Sequence, residues 1–550
     1  MTDTFQLLDE PWIACVLGDG TETLLSIRQI FDGEHAVANL RGDSPPQDYA
    51  VLRVLLAIYW RAHREKVTVA RGQSHEHDEW FKEAWPEASE GGVDEVVLDY
   101  LERHRDRFDL LHPETPFMQV AGLHTSKNAR LEARRIVPEA EDEYFTMRAG
   151  QARTTLSFAE AARWLIYTQA YDYSGIKSGA VGDPRVKGGK GYPIGTGWTG
   201  MTGGTVLLGN TLRETLVLNT TEECLLTEGD SAAWERRPDN AAQRKPEADA
   251  VYPTGPADLA TWQARRVRLF HDGERVTEVL VSNGDRIPEA GANIMGDPMT
   301  PYRYSANKSK KGHTVHYPRP FDVTRTMWRS LEPLIALEGD PGFDDKNVAP
   351  VRPGTLTQLA ELNNLDIAPE WANLQMVSVA YGPQASSAAE VVSSRIEIPV
   401  SLLRLEAGEQ RRLLLDNAKA TADAAIALGS FAGQLLVAAG GEYEFQSAPT
   451  DTLLSRLELP FRQWLGKLAD GDVAEHEKQW QEYVRARVEE NALVFLKGVS
   501  PQTLIGREAA PASEGGKPYI RSAATAWRAL HKKLDETLPA TQRERRKDGE

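Results

Sequence analysis

The sequence predicts an α+β protein in two parts. A large mixed α/β N-terminal domain spans residues 1–398, and a C-terminal four-helix bundle spans residues 399–550. Three observations predict this. A chain of 550 residues exceeds what one ordinary core supports. Strand-like and helical stretches alternate through the first part. Beyond about residue 400, apolar residues settle into helical spacing over four successive segments. Hydrophobic residues make up 41% and charged residues 26%, a balance that favours packed cores over disorder.

In the stretch LRGDSPPQDYAVLRVLLAIYWRAH, Pro46 stands near a helix start, with Tyr49, Leu52, Leu55, Leu56 and Tyr59 on one face. Phe158 to Tyr167 reads as a second helix that runs into a glycine-rich segment. VRLFHDGERVTEVLV reads as two strands joined around Asp272-Gly273. Segments 231–258 and 301–320 are rich in Pro, Asn, Ser and charge and read as loops. In the C-terminal part Leu414, Ala418, Ala422, Ala425, Leu428, Ala432 and Leu435 form one helical stripe. Trp480, Val484, Val488, Ala492 and Phe495 form another, and Ala523, Trp527, Leu530 and Leu534 a third. LLSRLELPFRQWLGKL supplies the fourth helix.

Cys15 and Cys224 alone cannot build a disulfide framework or a cysteine zinc site, which fits a reducing cytoplasm. The first residues lack a signal-peptide pattern, and no uncharged apolar stretch is expected to reach the ~18 residues of a membrane span. The net charge of −17 opposes nonspecific attraction of the whole chain to nucleic acid. Its distribution leaves room for a local patch, because residues 301–330 carry seven Lys/Arg against one Asp. Residues 171–200 hold nine glycines, four Lys/Arg and two Asp.

Within that glycine-rich segment, Gly195-Thr-Gly197-Trp-Thr-Gly200 matches GxGxxG but follows loop residues, not the strand a dinucleotide site needs. Gly189-Lys190 fails as a P-loop, since Pro184 and Gly191 occupy the positions that need Gly and Ser/Thr. Ser74-His75-Glu76-His77-Asp78 offers metal-ligand types in what reads as a polar loop, so a metal-dependent hydrolase using His75, His77 and Asp78 is the main enzymatic rival. No catalytic constellation emerges, and no cofactor is expected. Binding remains: glycine lets backbone approach a ligand, and Lys177, Arg185, Lys187 and Lys190 have charge for phosphates.

LLDEPWI at the start, Pro116-Phe117-Met118-Gln119, Ile176-Lys177-Ser178-Gly179, Tyr381-Gly382-Pro383-Gln384-Ala385 and the terminal helices follow in one order. In that order and in total length the chain resembles the large, CasA-type subunit of Cascade, the type I-E CRISPR surveillance complex. The resemblance implies a non-catalytic, cytoplasmic subunit assembled with sister Cascade subunits and crRNA, with no membrane partner. It implies recognition of a protospacer-adjacent motif in target double-stranded DNA from the minor groove, duplex opening, and recruitment of a helicase–nuclease.

The family's glycine loop corresponds to Tyr171–Gly175, so Tyr173, Ser174 and Gly175 are expected at the motif, although the consecutive glycines of some relatives are absent. Lys177 is expected to anchor a phosphate. The family's glutamine wedge maps onto Gln384, flanked by Pro383 and Ala385. Its basic finger maps onto Arg286 in SNGDRIP, and a further loop near the motif falls within 128–146. Lys308, Lys310 and Lys311 are expected on phosphates, and glycines 188 to 204 as flexible connection. The physics is compatible. Minor-groove edges distinguish mainly A·T from G·C, guide pairing reads the remaining sequence, and an inserted side chain costs a few kcal/mol of unstacking. A scaffold that binds only proteins through its helices is the second rival.

Overall fold

The structure, a computed structural model, describes residues 4–542 apart from 65, 68–75, 142–145, 289–293, 311, 319–320, 322–326, 469–470 and 510–518. The chain forms two compact units. One comprises Met1–Arg325 and Pro350–Arg395, the other Thr326–Ala349 and Ile396–Glu550. It is a mixed helix-and-sheet protein.

The first unit is built around the helix Pro45–His63. Two prolines occupy its first turn, where the missing N–H groups cost nothing, and Asp48 favours the positive end of the dipole. The helix is buried on nearly every side, not on one face. It packs against Glu95–Arg103, Phe158–Tyr171, Leu212–Leu218, Pro256–Ala260 and the strand Trp371–Tyr381. Its Arg53, 1% exposed, donates to Asp297 at 2.8 Å, and so anchors a segment 244 residues away.

Among the described residues the strands form three three-stranded sheets, one of which reaches this helix through Trp371–Tyr381. The first pairs Ile13–Leu17 with Glu22–Leu25 and Val37–Leu40. In the second, the expected hairpin forms between Arg265–His271 and Val276–Asn283, and Leu131–Glu132 joins its edge. Gly273 takes φ 104° in the connecting turn, where a Cβ is disfavoured. The third orders Ala388–Pro399, Trp371–Tyr381 and Gly204–Leu208, so the first two strands form a hairpin whose tip lies at residues 382–387.

Several expectations need correction. Residues 76–90 form a helix, not a polar loop. The segment 301–320 contains the antiparallel pair Tyr302–Tyr304 and His316–Pro318. Glycines 188 to 204 are not a flexible connection. A Cβ at Gly197 would overlap the Gln169 and Ala170 carbonyls, and one at Gly204 would overlap the Tyr49 side chain. Gly197 lets two backbones touch, and Gly204 leaves room for the Tyr49 ring.

In the second unit, the helix Gly408–Ala439 packs on Ser447–Leu465, Val473–Lys497 and Ala523–Thr537. Of its predicted stripe, all but Ala422 are buried. Gly429 and Gly433 admit the chain 444–450, whose backbone would clash with a Cβ at either position. This helix is long and apolar enough to cross a membrane on length and composition, contrary to expectation, and 56% of its apolar window is buried inside the protein. Residues 326–349 belong here and not to the N-terminal part. Trp328 stacks on Phe461 with ring centroids 4.6 Å apart, and Asp340 receives hydrogen bonds from the buried Arg411.

Candidate nucleic-acid interface

The hairpin tip carries Gly382-Pro383-Gln384-Ala385. The Gly382 amide donates to the Ser387 carbonyl at 2.9 Å, and the Ala385 amide to the Gly382 carbonyl at 2.9 Å. Between these bonds Gln384 takes φ 58° and Ala385 φ 53°. Two successive non-glycine residues in the left-handed region cost roughly 1–2 kcal/mol each, a strain that the flanking strands must sustain. Pro383 and Gln384 are exposed, and the Gln384 side chain makes no hydrogen bond among the described residues. The strain lifts a flexible polar side chain clear of the sheet.

The turn at 172–175 follows the helix Phe158–Tyr171, which Ser157 caps by accepting from the Glu160 amide. Its centre is Asp172, a buried carboxylate that meets three cations. Arg265 Nε reaches Oδ2 at 2.5 Å, Arg135 reaches Oδ1 at 2.8 Å, and Lys177 Nζ lies 2.9 Å from Oδ2. Burial pushes the carboxyl pKa up, but Arg265 foremost, then Arg135 and Lys177, hold it below the usual carboxylate range. Arg265, 1% exposed, also donates to the carbonyls of Asp172, Tyr173 and Gly195. One guanidinium therefore fixes the turn to the glycine-rich chain behind it.

This arrangement revises the role of Lys177. Its side chain is 3% exposed and its ammonium sits 4.0 Å from the Tyr173 ring centroid. Burial, countered only in part by Asp172, pulls its pKa down to about 8. The charge faces Asp172, so Lys177 supports the turn and does not present an ammonium to a phosphate. Ser174 is also buried, and what the turn offers outward is the half-buried backbone of Gly175 and the exposed Ile176. Gly175 lies outside the left-handed region, and a Cβ there would meet the Tyr173 ring at an ordinary 3.4 Å.

Sequence-distant elements converge at a cleft of about 330 Å³. Arg135 and Pro138 come from the 128–146 segment, Tyr171 and Tyr173 from the turn, and Ser386 and Ser387 from the wedge hairpin. The Tyr381 hydroxyl donates to the Tyr171 carbonyl at 2.8 Å, which ties hairpin to turn. The cleft thus joins three of the expected motif elements.

Other expected residues lie elsewhere. Arg286 follows the strand Val276–Asn283, and its half-buried side chain has no ion pair among the described residues. Lys308 and Lys310 are exposed near the end of the 302–318 hairpin, none of whose described residues lines the cleft. Lys311 and His75 fall outside the described residues. Arg185 pairs with Asp183 and donates to the Gly284 carbonyl, so it is structural. His77 is buried, donates through Nε2 to the Thr220 carbonyl at 2.9 Å and packs on Trp80, and burial lowers its pKa. Among the described residues no three His, Cys, Asp or Glu side chains group around a metal position, so the hydrolase reading with His77 and Asp78 finds no support. Sequence reasoning missed Arg135, Asp172 and Arg265. No local spacing could have paired residues 93 apart.

The model of the CRISPR-associated protein Cse1 family matches residues 6–490. A curated CasA/Cse1 protein of Thermus thermophilus is 28% identical over 342 residues, a match that spans 61% of this chain and 61% of that relative's length. The crystal structure of Thermobifida fusca Cse1 is similar at 35% identity and a TM-score of 0.83, covering 98% of this chain and 99% of that one. A chain of a CRISPR RNA-guided surveillance complex shares the fold at 18% identity and a TM-score of 0.66, covering 97% and 99%. With a family match along most of its length and that likeness to a solved Cse1, the chain belongs to the CRISPR-associated protein Cse1 family.

Proposed function

We propose that this chain is the non-catalytic large subunit of an RNA-guided surveillance complex, in which it reads a short motif beside the target and starts opening the duplex. Family membership supports assembly with sister subunits and crRNA. The strained, exposed Gln384 at the hairpin tip is the observation that carries the reading. Left-handed strain at a polar tip is the kind of local cost that persists where function requires the geometry.

In this reading the backbone at Gly175 faces the minor groove, with the buried Ser174 and the half-buried Tyr173 beneath it. Gln384, between Pro383 and Ala385, wedges the first base step. Arg286 serves as the basic finger, and Lys308, Lys310 and Lys311 meet phosphates farther out. The four long C-terminal helices act as a four-helix bundle that holds the subunit in the assembly, and the complex recruits the helicase–nuclease after opening. Minor-groove reading predicts tolerance of several related motifs.

The experiment is a competition measurement on the assembled complex, with labelled duplexes that differ only in the adjacent motif. The reading predicts tighter binding and guide-dependent opening with permitted motifs. Equal behaviour on permitted and scrambled motifs would contradict it.

A further inference from the structure

We propose that Lys187 and Lys190 are the phosphate contacts of the motif-reading face, held at the tip of a rigid glycine hairpin beside the turn. This rests on the function proposed above. The residues 187–190 close a two-residue β-turn. The Lys187 amide donates to the Lys190 carbonyl, and the Lys190 amide to the Lys187 carbonyl, both at 3.1 Å. Gly188 and Gly189 take φ 59° and 74°, the pair of left-handed conformations that the turn demands.

Residues directly opposite in such a pair send their side chains to the same face. Lys187 and Lys190 are therefore two exposed ammonium groups facing each other across a hairpin. Like charges so placed repel. Neither lysine has an ion-pair partner among the described residues, in a chain of net charge −17. An anion seated between them removes the repulsion, and a phosphate has the charge and the acceptors to do so.

The other charges of the segment are already engaged. Asp172 is held by Arg265, Arg135 and Lys177, and Asp183 by Arg185. That leaves Lys187 and Lys190 as the charges that residues 171–200 turn outward. The hairpin is also firmly mounted. Gly179 lies so close to the Gly189 backbone that a Cβ would sit 2.6 Å from its carbonyl carbon. Gly191 packs on the Asn283 amide, which donates to the Tyr192 carbonyl at 2.6 Å.

Lys190 pairs with Ser178, and Lys177 with Gly191, only a few residues beyond the turn. Three extended residues and one strand spacing put the Lys190 Cα within about 16 Å of the Gly175 Cα. A cation at that range, plus its side-chain reach, meets the backbone of a duplex whose groove faces Gly175. The role expected of Lys177 thus passes to two lysines that the fold leaves available.

The test uses the assembled complex and labelled duplexes with a permitted or a scrambled motif, titrated between about 50 and 200 mM salt. Lys187→Gln/Lys190→Gln is expected to lower the slope of log affinity against log salt by about 1.8, equally on both duplexes. Lys187→Glu, which creates an ion pair with Lys190 across the hairpin, is expected to weaken duplex binding while the melting temperature holds or rises. An unchanged slope with motif preference intact overturns the inference and leaves the proposed function standing. Loss of guide-RNA retention at an unchanged duplex slope overturns it too, since the lysines would then serve RNA. If the unmodified complex shows no motif preference, the proposed function fails and the inference falls with it.

Discussion

Replacing Asp172 by Asn tests whether the buried charge cluster holds the turn. The native turn sets one carboxylate against Arg265, Arg135 and Lys177, and Asp172→Asn leaves three cations with none. Removing one partner of a buried ion pair costs about 3–5 kcal/mol, because the remaining charge stays desolvated and uncompensated. Two features moderate that figure. Arg265 keeps its bonds to the carbonyls of Asp172, Tyr173, Gly195 and Ala264. Lys177, whose pKa is already about 8, sheds its proton readily once Asp172 is gone. The expected loss is therefore about 3 kcal/mol, which at about 2 °C per kcal/mol lowers the melting temperature of this unit by about 6 °C. Urea unfolding gives the free energy, and hydrogen exchange at residues 172–178 locates it. Arg135→Ala alone removes a cation and should cost less. Because the two side chains bond each other, the double variant should lose clearly less than the two single losses added. A loss under about 1 kcal/mol, or strict additivity, would refute the claim that the cluster holds the turn.

Gly175→Ala should cost less than about 1 kcal/mol, since its Cβ meets the Tyr173 ring at 3.4 Å and the Lys177 ammonium at 3.9 Å, both ordinary contacts, and φ is not positive. The same methyl should weaken motif discrimination in a duplex competition assay. Gly204→Ala should be the opposite kind of change. Its Cβ overlaps the buried Tyr49 side chain, so chemical denaturation should show a loss of about 2–3 kcal/mol or more. Lys177→Met should alter the pH profile of stability. The folded pKa of about 8 lies below the unfolded value near 10.4, so the folded state holds fewer protons between them and stability rises with pH over that window. The variant should lose that rise in urea titrations from pH 8 to 10.5.

The parts of this fold that were legible in the sequence are those written in local periodicity. The helix Pro45–His63, the hairpin around Asp272-Gly273 and the C-terminal apolar stripes, apart from Phe495, which is exposed, follow from spacing within a few turns. Glycines misled for the opposite reason. A glycine-rich run looks mobile in one dimension, but Gly179, Gly197 and Gly204 are glycines because other backbone or side chains press on them. Lys177 misled likewise, because a lysine among glycines reads as solvated, and only the packed arrangement of Asp172, Arg135 and Arg265 shows why it turns inward. Gln384 was found through the resemblance, and nothing in its neighbours announced the left-handed tip. His77 shows how a helix over Glu76–Glu90 converts a ligand-like pattern into core packing.

The wedge role of Gln384 is measured by guide-dependent opening of a permitted-motif duplex by the complex carrying Gln384→Ala. Opening is followed by permanganate reactivity of unpaired thymines. Gln384 is exposed and without hydrogen bonds among the described residues, so its truncation should leave assembly and melting temperature unchanged. Initial binding and motif preference are expected to persist while the rate and extent of opening fall severalfold, since the tip no longer carries the amide side chain that holds the first step unstacked. Opening at the unmodified rate would contradict the wedge role.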